Sequence, residues 1–301
     1  MITIIIPTFN PNIDRLQRTI DGIVNQTFTD WECVIIDNNS TLEFSKKISI
    51  NNKCRIVKET KQGLTYARLR GFYESNGEII VMADDDNVLQ KVYLQNLANI
   101  FNQEPKIGAL GGNIAAEFEN KPPEWSEEFW GKLAIRNLGS KSQVSDFKNA
   151  AINHYPIFAP VGAGMAIRKE ALKIYISDIE SQTESISDRK GNSLSSSGDN
   201  EIVMYVLKSG YEVGFFPELN LTHLIPATRL TKDYFARLNE GIMNSWTKFM
   251  LKHNICPWQQ IPTWTLNLRK IKAYFTYKAW QNPPNYIHWR GACGMFEGLA
   301  K

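Results

Sequence analysis

The feature that most constrains this chain is an alternation in its first 110 residues. Short apolar runs, each closed by a polar or acidic turn, are separated by amphipathic stretches. Ile2–Ile6 is wholly β-branched and ends at Pro7. Ile13, Leu16, Ile20 and Ile23 then recur at helical spacing. Glu32–Ile36 is a second run, ended by Asp37-Asn38-Asn39-Ser40, and Arg55–Val57 is a shorter third. Leu64–Ser75 reads as a helix, and Glu78–Ala83 as a strand stopped by Asp84-Asp85-Asp86. A helix through Val92, Leu97 and Phe101 and a strand over Ile107–Leu110 follow. Strands that lack an alternating polar face are covered on both sides. Repeated strand and helix signals therefore predict an α/β fold with an open, mostly parallel sheet flanked by helices.

The rest of the chain is less regular. Pro122-Pro123 breaks any element near it, and Val161–Met165 is a glycine-containing turn. Ser177–Gly198 holds eight serines and little apolar content, so it is expected to be a loop, one able to close over a ligand. Glu201–Leu207 looks helical, and Glu212–Phe216 looks like an edge strand ended by Pro217. Beyond Thr231 the pattern is mostly helical, with interruptions at Pro257, Pro262 and Pro283-Pro284. The expected organisation is a ligand-binding region over 1–110, an acceptor-binding and catalytic region of the same domain over 111–225, and a helical extension over 226–301.

Charge is uneven. The net is +3 overall, but Pro226–Lys301 has 11 Lys or Arg against 3 Asp or Glu, a net of +8, which leaves −5 for residues 1–225. Five of the eight tryptophans share that basic end: Trp246, Trp258, Trp264, Trp280 and Trp289. Such an end can meet an anionic membrane surface or a nucleic acid, or be a solvated, moderately basic helical end; no long amphipathic helix is evident in it. The four cysteines form no CxxC pair, so a structural zinc site is not expected. No apolar run is long enough to span a bilayer and no signal peptide is evident. The expected location is cytoplasmic, peripheral at most to the inner face of the membrane.

Ligands of open parallel sheets bind beyond the carboxyl ends of the strands. Two acidic sites fall there, Asp37 and Asp84-Asp85-Asp86. Neither a GxGxxG fingerprint nor a GxxxxGK loop follows the first strand, which runs into Pro7-Thr8-Phe9-Asn10-Pro11. If phosphates are bound, another device must neutralise them. Asp84 and Asp86, two apart, can place their carboxylates on one side of an extended chain and hold a hard divalent cation that meets a diphosphate. The alternative is an acidic turn capping a helix that begins near Leu89. Asp37 can accept from a nucleoside or simply build an Asx turn. Arg68 and Arg70 can reach a diphosphate or line a solvated helix face. Asp199, in Gly198-Asp199-Asn200-Glu201, is either a helix N-cap or a base that deprotonates an acceptor hydroxyl. His223 is either a third metal ligand or a hydrogen-bonded core histidine.

Together these pieces resemble family 2 glycosyltransferases of GT-A fold. The resemblance lies in Ile6–Asn10, Val34–Ser40, Gly63–Arg68, Asn76–Asp86, Gly162–Met165 and Gly198–Ile202, in this order, over roughly residues 1–225. It implies that Thr8, Asp37, Arg68, Asp84, Asp85 and Arg229 bind the nucleotide-sugar donor, with Thr8 and Asp37 on the nucleoside. Asp84 and Asp86 would be the DxD signature holding Mn²⁺ or Mg²⁺, with His223 as a further ligand. Asp199 would be the catalytic base. Thr222–Pro226 resembles bacterial surface-polysaccharide members. The chain departs from the family at Leu69, where Asn is frequent, and at Gly198, where Glu is frequent.

The expected activity is inverting transfer from a nucleotide-diphosphate sugar, UDP-sugar favoured, to a glycan or lipid-linked glycan acceptor. The acceptor would approach over Gly162–Met165 and residues 111–135. No nucleic acid partner is expected. Two rivals remain at this point: a nucleotidyltransferase that makes nucleotide sugars, and a non-catalytic module that binds polysaccharide or nucleic acid. The first lacks its glycine-rich basic loop. The second gives no reason for acids at element boundaries.

Overall fold

The computed structural model describes residues 1–147, 155–181 and 198–301. The chain divides into two compact units. The first comprises Met1–Glu117, Ile135–Ile186 and Glu201–Leu224, and the second Phe118–Ala134, Ser187–Asn200 and Ile225–Lys301.

In the first unit β1 (Ile2–Thr8), β2 (Trp31–Asp37), β3 (Cys54–Lys58) and β4 (Ile79–Met82) pair in parallel, in the order β3-β2-β1-β4. Every residue of β1 is buried, as its unbroken β-branched run requires. α1 (Ile13–Val24) follows, its N-terminus capped by Asn12, whose side-chain oxygen accepts the Arg15 N–H at 3.0 Å. It buries Leu16, Ile20 and Ile23, the residues whose spacing announced it. α2 (Leu64–Glu74) turns Phe72 and Leu69 into a core with Ile5, Met82, Ile167 and Val203. Burying each such side chain contributes roughly 1.5–3 kcal/mol, so the sheet end that carries the acidic turn rests on a rigid base.

Beyond β4 the sheet becomes antiparallel. β5 (Asn87–Leu89), β6 (Ile107–Phe118), β7 (Gln143–Ser145), β8 (Ala166–Arg168) and β9 (Glu212–Ile225) extend the order as β4-β8-β6-β9-β5, with β7 also on β9. α3 (Tyr93–Gln103), α4 (Lys173–Ser181) and α5 (Gly198–Lys208) complete the helices placed with these strands. The expected open α/β sheet flanked by helices is what forms, with the parallel strands at its amino-terminal end.

Several local expectations are corrected. Glu212–Phe216 is part of a strand running on to Ile225, through Pro217 rather than ending there. Pro217 falls between the stretch paired with β7, Val213–Phe215, and the stretch paired with β5, Leu221–His223, so its missing N–H costs neither ladder a bond. Its carbonyl accepts the side-chain amides of Asn113 and Asn220. Ser177–Ser181 belongs to α4, while 182–197 lies outside the described residues and with it the expected closing loop. No helix starts near Leu89: that residue ends β5, and α3 begins at Tyr93.

The second unit is helical, with α6 (Lys232–Lys252), α7 (Leu266–Thr276) and α8 (Pro283–Leu299). The residues Pro283 and Pro284 open α8 at its first turn, where the lost N–H has no helical partner anyway, and Asn282 caps it. A side chain at Gly294 would meet the Glu240 carbonyl oxygen at 2.1 Å, so α6 and α8 pack at glycine distance. Trp125 meets Phe235 edge-on with ring centres 5.8 Å apart, and Trp130 lies 5.0 Å from Phe118. Both tryptophans are therefore packing residues of this unit. Among the described residues no helix is long and apolar enough to cross a membrane.

Candidate active site

The parallel strands β1, β2 and β4 all end on the same edge of the sheet, and three loops leave from it. The loop after β1 is locked to the loop after β2. Asn10, at a left-handed φ of 47°, accepts the Thr41 and Leu42 N–H groups with its side-chain oxygen at 2.9 and 3.2 Å, and its own N–H goes to Ser40 Oγ at 2.9 Å. Asp37 Oδ1 accepts the Ser40 N–H at 2.9 Å, the Asx turn that the sequence allowed. Asn38, which sequence reasoning passed over, is buried and ties this floor to α2. Its amide donates to the Lys61 carbonyl at 2.7 Å and accepts the Gly63 N–H at 2.7 Å, while its backbone N–H reaches Thr8 O at 2.8 Å. The signal was the run of two asparagines after a buried strand, where a short amide can satisfy backbone that the sheet no longer pairs.

The third loop is the acidic one, and its geometry differs from the extended pair expected. The Asn87 N–H bonds back to the Asp84 carbonyl at 3.1 Å, so Asp84–Asn87 is a turn. Three adjacent carboxylates would repel one another if they faced one way. Here two of them are drawn to different partners. Asp85 accepts the Thr8 hydroxyl across the β1–β4 gap. Asp86, buried, lies with Oδ1 3.3 Å from His223 Nε2 and 3.0 Å from Asn87 Nδ2. Asp84, half-buried, has its N–H held by Asn87 Oδ1 at 3.1 Å. Asn87 is fully buried and braces the whole turn.

The His223 contact is made by topology. β5 runs antiparallel to β9 with Asn87 opposite His223, and the Leu224 N–H donates to the Asp86 carbonyl at 2.9 Å. The helix-cap alternative for this turn is thereby replaced: the residues after it form β5, whose pairing with β9 brings the His223 imidazole to the acid.

The glycine turn over Gly162–Met165 lies against the same end of β4. The Gly164 N–H reaches Met82 O at 2.9 Å, and the Met82 N–H reaches Met165 O at 2.8 Å. Gly164 has φ +77° and its carbonyl accepts the hydroxyl of buried Tyr93 at 2.5 Å. Burial pushes the Tyr93 hydroxyl pKa well up, so it stays a donor.

Arg68 is buried, which removes the solvated-face alternative for it, whereas Arg70 is half-exposed and pairs with Glu74 at 2.8 Å. The structure thus gathers Thr8, Asp37, Arg68, Asp84, Asp85, Asp86 and His223 in the first unit. Asp199 lies in the first turn of α5, and Arg229 in a short 3₁₀ turn over Ala227–Leu230; both are counted with the second unit.

An open sheet binds its ligands beyond the carboxyl edge, where these acids lie, and the loop after β1 lacks the glycine fingerprint of dinucleotide binders. Comparison with known proteins goes further. Residues 3–175 match the family described as glycosyl transferase family 2, and the chain belongs to that family.

Relatives include the GalNAc(5)-diNAcBac-PP-undecaprenol beta-1,3-glucosyltransferase of Campylobacter jejuni, 24% identical over 60% of this chain and 72% of that protein. The dolichol-phosphate mannosyltransferase of Pyrococcus furiosus is 32% identical over 57% of this chain and 47% of its own length. The glucosyl-dolichyl phosphate glucuronosyltransferase of Haloferax volcanii is 20% identical over 49% of each. The chain therefore spans about half the length of these two archaeal relatives. The crystal structure of Staphylococcus aureus TarS 1–349 superposes with a TM-score of 0.51, covering 98% of this chain and 89% of that one, at 11% identity, and so shares the fold.

Proposed function

We propose that this family 2 glycosyltransferase moves a sugar from a nucleoside-diphosphate donor, UDP-sugar favoured, to a hydroxyl of a glycan or lipid-linked glycan, inverting the anomeric carbon, in surface-polysaccharide synthesis. The observation that carries the reading is the acidic turn at the end of β4, with Asp86 facing His223 and Asp85 drawn to Thr8. Dolichyl, dolichol and undecaprenol groups in the names of three relatives support a lipid-linked acceptor.

Thr8 and Asp37 hold the nucleoside, with Asp85 fixing the Thr8 side chain. Arg68 and Arg229 meet the base or diphosphate. Among the described residues no group of three or more His, Cys, Asp or Glu is gathered closely enough to hold a metal by protein atoms alone. The buried Asp86 oxygen and His223 nitrogen, 3.3 Å apart, are nevertheless donor types that a divalent cation accepts. Asp84, Asp86 and His223 would hold Mg²⁺ or Mn²⁺, which when bound offsets the charge of the leaving diphosphate.

Asp199 accepts the proton of the acceptor hydroxyl. That oxygen forms the new bond to the anomeric carbon while the bond to the diphosphate oxygen breaks, and the electron pair leaves with the nucleoside diphosphate. A single displacement with the base opposite the leaving group gives inversion. The acceptor passes over the Gly162–Met165 turn. Work on a lipid-linked acceptor puts the enzyme at the cytoplasmic face of a membrane, with peripheral contact through its basic end.

The test is a panel of UDP-, GDP- and dTDP-sugars, measured by calorimetry with and without Mn²⁺ and by slow donor hydrolysis. One donor should bind and hydrolyse in a metal-dependent way, and Asp199→Asn should keep that binding while losing transfer. Absence of binding by any sugar nucleotide, or undiminished transfer by Asp199→Asn, would overturn the proposal.

A further inference from the structure

α7 is short, and among the described residues one of its faces has no protein against it. Its inner side is committed to the second unit: Ala273 is buried, the Trp289 indole N–H donates to the Lys270 carbonyl at 3.0 Å, and Lys270 pairs with Glu297 at 2.6 Å. Opposite lie Trp264 at 78% exposure, Leu268 at 63%, Ile271 at 57% and Phe275 at 63%. Their spacing of four, three and four residues places them in one stripe along the helix and the turn before it. A single exposed apolar residue needs no explanation, but four in line on one helix do. Trp258, Tyr277 and Trp280, also exposed, continue the apolar surface at the ends of the element, and Trp280 lies 5.8 Å from the Phe275 ring.

What covers the stripe is indicated by charge. From Gly241 to Phe296 the chain contains seven Lys or Arg and not one Asp or Glu. Arg269, Lys272 and Lys278 are exposed on or just beyond α7 itself. An apolar stripe with tryptophans at its ends and an excess of cations around it matches the boundary layer of an anionic bilayer, where rings sit at headgroup depth and ammonium and guanidinium groups meet lipid phosphates. A groove built for a second copy of this chain would face the same excess of cations again, with Arg269, Lys272 and Lys278 exposed on both sides.

We infer that α7 docks the protein on anionic phospholipid, its Trp264–Leu268–Ile271–Phe275 stripe sunk into the interface. This deepens the peripheral contact proposed above by naming the surface and the lipid, and rests on that reading only for which membrane is meant. The helix is an interfacial anchor; it does not span.

The experiment is vesicle co-sedimentation of the full chain with phosphatidylethanolamine–phosphatidylglycerol liposomes and with phosphatidylcholine liposomes. Brominated lipid tests whether Trp264 enters the bilayer. Binding is expected to the anionic vesicles, weakened at least tenfold on phosphatidylcholine or in high salt, with bromine quenching of fluorescence that Trp264→Phe diminishes. Leu268→Ser/Ile271→Ser/Phe275→Ser should weaken binding at least about a hundredfold, each lost apolar side chain being worth up to about tenfold. Its circular dichroism and metal-dependent donor hydrolysis should be unchanged.

Equal binding by the triple variant and the parent would overturn the inference. So would no binding by the parent to either vesicle, including the case where the same substitutions convert a dimer to a monomer in sedimentation equilibrium. Arg269→Gln/Lys272→Gln/Lys278→Gln keeps the stripe and should lose most of the preference for anionic lipid; an unaltered preference would also overturn it. Vesicle binding without any donor hydrolysis would leave α7 as an anchor while removing the proposed chemistry, so the two failures are separable.

Discussion

Gly164 offers a sharp test of how the turn beside the acidic loop is held. Its φ of +77° lies in the left-handed region, and a Cβ there would come within 2.3 Å of Leu221 Cδ2 and 3.1 Å of the Tyr93 hydroxyl. Gly164→Ala therefore meets two separate penalties. Holding an L-residue in this backbone conformation costs roughly 1–2 kcal/mol. Carbon atoms prefer separations of about 3.5–4 Å, so Leu221 must retreat by more than an ångström in a packed site, an overpacking worth about 1–3 kcal/mol. The sum is about 2–5 kcal/mol.

The second penalty has an identifiable owner. In a Leu221→Ala background the obstructing methyl is gone, and the same Gly164→Ala change should cost only the backbone part, about 1–2 kcal/mol. Urea unfolding of the four proteins gives the coupling directly, expected at about 1–3 kcal/mol. An identical cost of Gly164→Ala in both backgrounds would refute the contact, and a cost below about 0.5 kcal/mol in the parent would refute the backbone argument.

Asp86→Asn retains an oxygen for the Asn87 amide, so thermal stability should move little, while metal affinity by calorimetry and donor turnover should each fall by about two orders of magnitude or more, as the metal role proposed for Asp86 requires. Asn38→Ala leaves the Lys61 carbonyl and Gly63 N–H without their buried partner, at about 1–3 kcal/mol for each; hydrogen exchange should quicken at Gly63 while the β1 amides stay protected. Burial raises the Cys293 thiol to about 11. Because the folded value lies above the unfolded one, the native state holds its proton longer, and stability declines as pH rises through the window from about 8.5 in the unfolded chain to about 11. Iodoacetamide at pH 8 should label the partly exposed Cys256 first and reach Cys293 at comparable speed only after unfolding, as peptide mass spectrometry would show.

The parallel half of the sheet was legible because its signals are local. A β-branched run that must be buried on both faces, followed by apolar residues at helical spacing, leaves few alternatives, and β1, α1, β2, α2 and β4 lie within a residue or two of where the pattern put them. The positions of Asp37 and of Asp84–Asp86 at or just past strand ends were legible for the same reason. The antiparallel half was not. Pro217 looks like a terminator unless its place between two ladder partners is known, and Asn87–Leu89 is too short a run to announce a strand. Hence Asp86 and His223 could be nominated separately but not brought together from sequence. Arg68 and Arg70 show the same limit: two arginines two positions apart on α2 have opposite surroundings, one interior and one paired at the surface, and only packing tells which is which. α7 went unnoticed because its apolar stripe begins in the 3₁₀ turn before the helix proper.

The pairing of β5 with β9 also sets an order of assembly. Asp86 and its imidazole neighbour are separated by more than 130 positions, and the chain between them includes β6, β7, β8 and the helices α3, α4 and α5. A ribosome that has released the segment matched by the family, up to residue 175, has made every parallel strand but not the one that completes the pair. Contacts of such long sequence separation form late and slowly. A nascent or truncated chain can therefore have the loops after β1, β2 and β4 while lacking the histidine that faces Asp86.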